Sequence, residues 1–338
     1  FPVLLSPVGT FWDKMRIGLY RLINPSKSLE NIFNASETDT LEFLSSQLGL
    51  SKNIISKFFE PFYRGIFLAP LNDQSSRMFT FVFQMLAKGS TSLPSKGIGE
   101  ISEQLASELP SDSIRLNSKV IGIVPQKGST GPKVMIKGGD KVLCSAAVIA
   151  TEGPQAFELL AKAGKPLDGF KKPPPPGRSS TCMYFSLPFP PPIKEPILIL
   201  NGEGASFGRP VNNLTFLDRC APSYAPKGKS LASVTIVGNP AIEDVELEKQ
   251  VRSHLSEWFG AEKLKKWKML GIYRIPYAQP PQILPSVEGK TGFDRIVSLG
   301  DGLFICGDHR NTATLNGAME SGRKAAEEVM ASYMQSSS

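Results

Sequence analysis

The sequence predicts an α/β fold, and two stretches carry this prediction. Residues 302–329 read as a buried strand, a polar turn and a helix, because Leu303 to Cys306 form a continuous apolar run of the kind found in covered parallel strands. Residues 92–151 read as a helix followed by short apolar runs with polar turns between them. Helices and strands that alternate in this way favour a parallel sheet covered by helices.

The first 91 residues predict a series of helices. Residues 11–23 have an amphipathic pattern in which apolar and basic side chains alternate. Ser36 and Asp39 resemble a capping pair that opens a second helix, which Gly49 ends. A third helix follows and is expected to end before Pro61.

Two segments of this region are rich in aromatic side chains. Residues 58–68 place five rings around Arg64, which is typical of a core crossing or of an apolar pocket wall with one anchoring cation. Residues 75–87 predict a helix with Met and Phe side chains on nearly every face, so this helix is buried or lines an apolar cavity. Phe62, Arg64 and Phe81 are the candidate substrate-binding residues of this region.

The middle of the chain predicts the second βαβ half of a nucleotide-binding domain with a hairpin insert. A turn and a helix are expected over residues 92–109, and residues 163–176 form a proline-rich crossover into the next region. The predicted strands of this half are 114–116, 120–124, 134–136 and 146–150.

Residues 181–259 predict further strands and then an amphipathic helix over 241–259. The strands are expected at 181–187, 197–200, 213–217 and 231–237. Beyond the helix, a lysine cluster lies beside Trp267; it is typical of a solvated face, and a peripheral membrane contact is the alternative, since it would suit a lipophilic substrate.

The closing segment has the strongest signs of a ligand site. Gly307 lets the backbone approach a ligand, and Asp308 places a carboxylate at the carboxyl end of a strand, where α/β sheets bind ligands. Asn316 is the predicted helix cap, and an electron-rich group is expected beside the free amides that follow it. Those amides belong to Gly317, Ala318 and Met319.

This strand, which ends in Gly-Asp and leads into Asn-Gly-Ala-x-x-Ser-Gly, resembles the C-terminal flavin signature of the amine oxidase and phytoene desaturase superfamily. The resemblance implies FAD as the cofactor. It implies that Asp308 bonds the ribityl chain, and that the amides near Ala318 and Met319 face the pyrimidine edge of the isoalloxazine ring.

Weaker similarities to the same family extend over most of the chain. Residues 93–99 resemble its Leu-Pro-x-x-Gly-Ile-Gly segment, which implies that the Val120 backbone meets the adenine and that Thr151 ends a strand beside the dinucleotide. Residues 273–284 resemble a proline-rich stretch of the desaturases more than the aromatic sandwich of the amine oxidases. Tyr277 is therefore a candidate near the flavin ring, and a rigid proline connection is the alternative.

The resemblance predicts an incomplete FAD/NAD(P)-binding Rossmann-like domain interleaved with an α+β substrate-binding domain. The substrate domain is assigned residues 1–91 (helices) and 169–292 (sheet), and the FAD domain residues 92–168 and 293–338. The sequence contains no G-x-G-x-x-G turn for the FAD pyrophosphate. Either the N-terminal unit has been removed or this chain binds FAD poorly.

Composition excludes several other classes of protein. The 338 residues are 41% hydrophobic and 20% charged, which is typical of a globular protein. The net charge of +7 is dispersed, which argues against a nucleic-acid partner. Four separated cysteines and two histidines form no metal-binding pattern, and no apolar run reaches the roughly 18 residues of a membrane span.

The chain begins at Phe1 with no targeting peptide, so we expect a fragment or a processed product. Its compartment is expected to be the chloroplast, because of its carotenoid-like relatives, with the cytoplasm as the alternative. The sequence does not define the electron acceptor or the oligomeric state.

We expect a flavin-dependent oxidoreductase that transfers a hydride from an apolar substrate, such as a polyene, a terpenoid or a porphyrin-like molecule, to the flavin. Asp308 is then a binding residue and no catalytic residue is assigned. An amine or polyamine oxidase and a protoporphyrinogen oxidase-like enzyme are the enzyme alternatives. A noncatalytic remnant or scaffold is the alternative from another class.

Overall fold

The computed structural model describes residues 6–125, 131–164, 177–281 and 296–336. The chain divides into two compact units, each built from two separate stretches. Unit 1 comprises Phe1–Glu108 and Arg178–Ala278, and unit 2 comprises Leu109–Gly177 and Gln279–Ser338. The mixture of helices and sheets confirms the predicted α/β class, whereas the functional assignment of the domains stays a prediction.

Helices form the first stretch of unit 1. They are α1 (Phe11–Ile23), α2 (Leu29–Phe33), α3 (Thr40–Glu42), α4 (Lys52–Ile54), α5 (Glu60–Phe67), α6 (Ser76–Lys88) and α7 (Gly99–Ser107). Thr10 and Ser75 cap α1 and α6 with their hydroxyl groups, and Gly89 follows the end of α6. These ends agree with the predicted helices over 11–23 and 75–87.

Two predicted helix ends are wrong. Asp39 alone caps α3, because its carboxylate accepts the Glu42 amide hydrogen at 2.8 Å, and Ser36 lies outside the helix. Pro61 does not end the third helix either. A π-helical turn over Ile55–Phe59 joins α4 to α5, and this wider turn accommodates the proline, which lacks an N–H.

Aromatic rings form the core of the helical stretch. Phe79 is fully buried on α6, and its ring contacts those of Tyr20, Phe59 and Tyr63. The Tyr63 ring lies nearest, with its centroid 4.6 Å from that of Phe79. Much of the aromatic content of residues 58–68 and 75–87 therefore builds a core, as the first of the two interpretations predicted.

The second stretch of unit 1 forms a five-stranded sheet, and helices of the same stretch pack on one face of it. Among the described residues its strand order is β6–β7–β8–β5–β9. These strands are β5 (Arg178–Leu187), β6 (Leu198–Leu200), β7 (Asn213–Phe216), β8 (Ser230–Val237) and β9 (Lys268–Gln279). The helices are α9 (Leu217–Cys220), α10 (Asp244–Phe259) and α11 (Ala261–Leu264).

Alternation along the strands separates the two faces of this sheet. Phe185, Val234 and Leu214 point to one face and pack with Leu247 and Val251 of α10 in a fully buried cluster. The opposite face carries the intervening side chains of β5, β7 and β8. We call this opposite face the open face.

Trp267 belongs to the buried core of the sheet and is only 2% exposed. The indole therefore lies in the core, whereas the neighbouring lysines are exposed, as a solvated face requires. The membrane interpretation of that cluster stays a prediction.

Unit 2 contains two small sheets and two long helices in its described part. Strands β1 (Val120–Val124), β2 (Lys133–Ile136) and β3 (Lys141–Leu143) form an antiparallel meander, whereas β4 (Ala147–Ile149) and β10 (Leu303–Ile305) pair in parallel. The helices are α8 (Gly153–Lys162) and α12 (Leu315–Ser336). Ile123, Ile149 and Leu160 share a buried cluster with β10.

Two strand predictions from the sequence differ from the structure of unit 2. Residues 114–116 form no strand, because their side chains are exposed and have no partner strand. The strand at 120–124 exists, but it pairs antiparallel with β2 and is not part of a βαβ unit. Most of the proline-rich crossover, 165–176, and residues 282–284 lie outside the described residues.

The four cysteines are free thiols, as expected. Within the described ranges, no group of His, Cys, Asp and Glu side chains could hold a metal ion. In the same ranges, no helix combines the length and apolarity that a transmembrane span requires.

Candidate functional site

The parallel pair of β4 and β10 creates the edge at which the candidate site lies. Leu303 pairs with Ala147 and Ile305 with Ile149, and the Cys306 amide donates to the Ile149 carbonyl at 3.0 Å. Because parallel strands end at the same edge, residues 150–152 and 307–308 leave the sheet together. This edge is where α/β sheets bind ligands.

Gly307 is held in a conformation that requires glycine. Its φ of 141° lies in the region that side chains disfavour, and a Cβ would be 2.6 Å from His309 Cε1. Its amide donates to Ser321 Oγ of α12 at 3.0 Å. The strand, the turn and the helix are thereby tied together at this residue.

Asp308 presents an accessible carboxylate. Its side chain is 33% exposed, and its Oδ1 lies 3.8 Å from His309 Nδ1, which is beyond hydrogen-bonding distance. No salt bridge to Lys or Arg engages Asp308 in the described part of the chain. The carboxylate can therefore accept hydrogen bonds from a ligand hydroxyl.

The start of α12 differs from the prediction. The helix begins at Leu315, and Thr314 Oγ1 accepts a hydrogen bond from the Gly317 amide at 2.9 Å. The Ala318 amide donates to the Thr314 carbonyl at 3.0 Å. The predictions of Asn316 as the cap and of free amides at Gly317 and Ala318 are thus wrong, because Thr314 provides the cap two residues earlier.

The unpaired amides of this helix end belong to Leu315 and Asn316. No acceptor for either is found among the described residues. Together with the helix dipole, they give this end a partial positive charge that favours an electron-rich ligand. Roles for Ala318 and Met319 at a flavin ring stay predictions.

The surface of α12 has one close-packed side and one open side. A Cβ at Gly317 would lie only 1.9 Å from the Thr312 carbonyl oxygen, so only glycine allows the helix to start there. Ser321 and Ala325 are buried on the same side. Next to them, a Cβ at Gly322 would meet no atom within 4 Å, so bulky side chains do not fill the space over the helix there.

These features fit the FAD implied by the sequence resemblance. Asp308 would supply an acceptor for the ribityl hydroxyls, and the unpaired amides of Leu315 and Asn316 would supply donors for a polar ring edge. Thr151 lies at the same edge, since its carbonyl oxygen is 3.5 Å from a Cβ built on Gly307. Val120 lies half-buried on the separate antiparallel sheet, and its contact with adenine stays a prediction.

The predicted substrate residues all lie in unit 1. Phe62 stacks on Phe58 with a centroid separation of 5.5 Å and an interplanar angle of 11°. Arg64 follows on α5, where it forms a 3.4 Å contact with Glu60. Its Nε is buried and has no hydrogen-bond partner among the described residues, which leaves a donor for a ligand or a water molecule.

Helix α5 lies on the open face of the sheet. It packs against β7 and β8, and a Cβ at Gly65 would be 2.6 Å from Asn213 Nδ2. Glycine at this position therefore brings α5, and with it Arg64, directly onto the open face.

Tyr277 and Phe81 lie in different surroundings. Tyr277 is on β9, four residues after Tyr273. Phe81 packs against Phe33 of α2 at 5.6 Å, on the side of α6 opposite Phe79, so the structure does not bring it together with Phe62.

The sequence analysis missed a tyrosine on the open face. Tyr184 of β5 contacts the ring of Tyr273 edge-to-face at 5.7 Å and 78°. Burial, followed by the neighbouring Cys182, raises the pKa of Tyr184 to about 12, so its hydroxyl stays neutral. The alternation of small and large residues in β5 indicates a strand with two different faces. It does not indicate which face of the sheet is left open.

Comparison with solved structures identifies similar folds. An oxidoreductase from Methanosarcina mazei superposes with a TM-score of 0.66 at 16% identity, over 94% of this chain and 73% of that chain. A protein assigned as a protoporphyrinogen oxidase, from Exiguobacterium sp. 255-15, gives 0.68 at 16% identity, over 98% and 74%. A putrescine oxidase redesigned in its cofactor binding gives 0.64 at 11% identity, over 95% and 75%.

At these identities the likenesses establish the fold alone. No curated protein sequence gives a significant match. The profile of one family, described as flavin containing amine oxidoreductase, matches residues 11–330, which is nearly the whole chain. The strand, the turn and most of the helix around Asp308 lie within this match. The chain therefore belongs to the flavin-containing amine oxidoreductase family.

Proposed function

We propose that this FAD-dependent oxidoreductase dehydrogenates a large, mainly apolar substrate, with a polyene as the first class to test. The observation that carries the proposal is two pairs of aromatic rings in unit 1, each with one ring exposed. Phe58 and Phe62 form a parallel stack, and Phe58 is partly exposed. Tyr184 and Tyr273 add two rings on the open face.

The chemistry divides between the cofactor and the protein. When bound, FAD supplies the hydride acceptor. The residues of this chain then bind the cofactor through Asp308 and the start of α12, and bind and orient the substrate through the aromatic rings. The neutral Tyr184 hydroxyl can donate a hydrogen bond but holds no charge near neutral pH.

A specific observation favours a second candidate, a porphyrinogen-like substrate that carries carboxylates. Arg64 has a buried, unsatisfied Nε and a partly exposed guanidinium group, and a carboxylate can bind such a group in a bidentate manner. A pure hydrocarbon would leave this donor unpaired, at a cost of about 1 to 3 kcal/mol.

The geometry gives less support to an amine substrate. Two rings that sandwich an amine need parallel faces with a gap of about 7 Å between them, twice the usual stacking distance. Tyr184 and Tyr273 instead meet edge-to-face with centroids 5.7 Å apart, so no gap lies between them.

Anaerobic reduction of the FAD-loaded chain tests the proposal. A polyene, a porphyrinogen and a polyamine are mixed separately with the protein, and the loss of oxidised-flavin absorbance is followed. We expect the polyene or the porphyrinogen to reduce the flavin. Reduction by the polyamine alone would overturn the proposal.

The variant Arg64→Gln separates the two candidates. We expect it to raise KM for a carboxylate-bearing substrate by about tenfold or more, because one charge-assisted hydrogen bond contributes about 1.5 to 3 kcal/mol. For a hydrocarbon, KM stays unchanged. Lys88→Gln, at the end of α6, is the matched control for loss of a positive charge in the same unit.

A further inference from the structure

Helix α1 carries an apolar stripe on its outer surface. Its six residues are between 51% and 79% exposed, so they form a contiguous apolar patch rather than single scattered side chains. At 100° per residue they share an arc of about 120°. The stripe consists of Phe11, Trp12, Met15, Leu19, Leu22 and Ile23.

Two buried contacts fix the rotation of the helix so that the stripe faces away from the core. The Tyr20 hydroxyl donates to Thr80 Oγ1 of α6 at 3.0 Å. The Asp13 carboxylate accepts hydrogen bonds from the amide and the hydroxyl of Ser51, at 2.7 and 2.6 Å. The stripe therefore cannot turn inward without the loss of these bonds.

The charges of α1 are arranged around the stripe. Arg16 lies at one edge, and Lys14 and Arg21 lie at the other, by the same 100° spacing. Lys14 Nζ donates to the Ser6 carbonyl and Arg16 to the Gly49 carbonyl, so both cations are held close to the helix. Asp13, the one acidic residue of the helix sequence, is buried.

We propose that this face of α1 docks on an anionic lipid bilayer, with the stripe in the headgroup and acyl boundary and the basic side chains at the phosphates. An apolar arc with basic residues along both edges has this property in helices that lie in the membrane interface. The helix has 13 residues and is about 20 Å long, which suits a position parallel to the surface.

Charge argues against a second copy of the chain as the occupant. Two stripes that pack on each other would bring basic edges against basic edges, which is unfavourable. An anionic lipid surface instead complements both edges. This docking surface is independent of the flavin site and of the substrate class proposed above.

Co-sedimentation of the full FAD-loaded chain with lipid vesicles tests the proposal. We expect binding to phosphatidylcholine vesicles that contain phosphatidylglycerol, and weaker binding to phosphatidylcholine alone. The emission of Trp12 should shift to the blue on binding, and this shift should be absent from Trp12→Phe.

The double variant Leu19→Gln with Leu22→Gln should lower the affinity for anionic vesicles by about tenfold or more, since each leucine loses burial in lipid. Leu105→Gln with Leu109→Gln makes the same chemical change at exposed leucines outside α1 and should bind like the wild type.

Two results would overturn the proposal. One is equal vesicle binding by the Leu19 and Leu22 double variant and the wild type. The other is that the wild type binds neither kind of vesicle. In that case, if the wild type forms a concentration-dependent dimer and the double variant does not, the stripe is a contact surface for a second copy of the chain. Circular dichroism of each variant establishes that it is folded.

Discussion

His254 shows how one buried side chain makes stability depend on pH. It is fully buried on α10, and its Nδ1 accepts the Val211 amide hydrogen at 3.3 Å. Its Nε2 has no partner among the described residues. Burial, with the positive charge of Arg209 as a second cause, lowers the pKa of His254 below that of an exposed histidine.

The lowered pKa of His254 determines whether the folded protein gains or loses stability as the pH falls. Below about pH 6.5 the unfolded chain protonates this histidine, whereas the folded chain resists protonation until a lower pH. We therefore expect the free energy of unfolding to fall as the pH drops from about 7.5 to about 5.5. Chemical denaturation at each pH measures it.

His254→Asn is the matched variant, because the Asn Oδ1 can still accept the Val211 amide hydrogen but does not titrate. We expect a flatter pH profile for this variant. The same slope in both proteins would assign the pH dependence to other groups.

At the level of residues, local chemistry in the sequence indicated a glycine-dependent turn at Gly307 and an accessible carboxylate at Asp308, and the structure has both. Their role in binding the cofactor stays a prediction. The sequence did not indicate Thr314 as the cap, because Asn316 also has a cap-forming side chain and only the packing of Gly317 against Thr312 distinguishes the two. The sequence analysis missed Tyr184 because its ring contacts that of Tyr273, which lies on a strand far away in the sequence.

The first turn of α12 links the sequence signature to the geometry of the site. Thr314 Oγ1 holds the Gly317 amide, and this bond leaves the two preceding amides for a ligand. We expect Thr314→Val to lower the free energy of unfolding by about 1 kcal/mol, the usual effect of losing a cap. Thermal or chemical denaturation measures this change.

Thr314→Ser is the control for this substitution, because it keeps the hydroxyl group. It should retain most of the stability and of the FAD affinity. Equal stability of the Val and Ser variants would show that the cap contributes nothing.

Among the elements, helices with strong caps and long helical patterns were predicted well, as the amphipathic α1 and the largely apolar α6 show. Three short elements were not. The strand predicted at 114–116 has no partner, β3 was missed, and a π-helical turn joins α4 to α5, which contains Pro61. Strand pairing depends on contacts between distant residues, and so does a π-helical turn. A short sequence window does not contain these contacts.

On the scale of the whole molecule, the two candidate regions lie in different units. Asp308 and the start of α12 belong to unit 2, whereas Phe62, Arg64 and Tyr277 belong to unit 1. Each unit is built from two distant stretches of chain, so the sequence could predict the interleaving only through the family resemblance. The functional assignment of each unit stays a prediction.

Hydrogen exchange with and without FAD tests this assignment across the chain. We expect FAD to slow exchange in β4, in β10 and in the first turn of α12, because a ligand at this edge restricts local opening. Strands β2 and β3 lie in the same unit and are the internal control, where little change is expected. Protection confined to β2 and β3 would place the cofactor elsewhere.

FAD titration of the wild type and of Asp308→Asn measures whether the carboxylate at the end of β10 holds the flavin cofactor. Glu328→Gln, on the exposed part of α12, is the control for loss of a carboxylate in the same unit. Quenching of flavin fluorescence measures each affinity.

We predict that the wild type and Glu328→Gln bind FAD alike, and that Asp308→Asn binds it about tenfold or more weakly, since a hydrogen bond to a charged group contributes about 1.5 to 3 kcal/mol. Equal affinity of all three proteins, or no FAD binding by the wild type, would contradict the account.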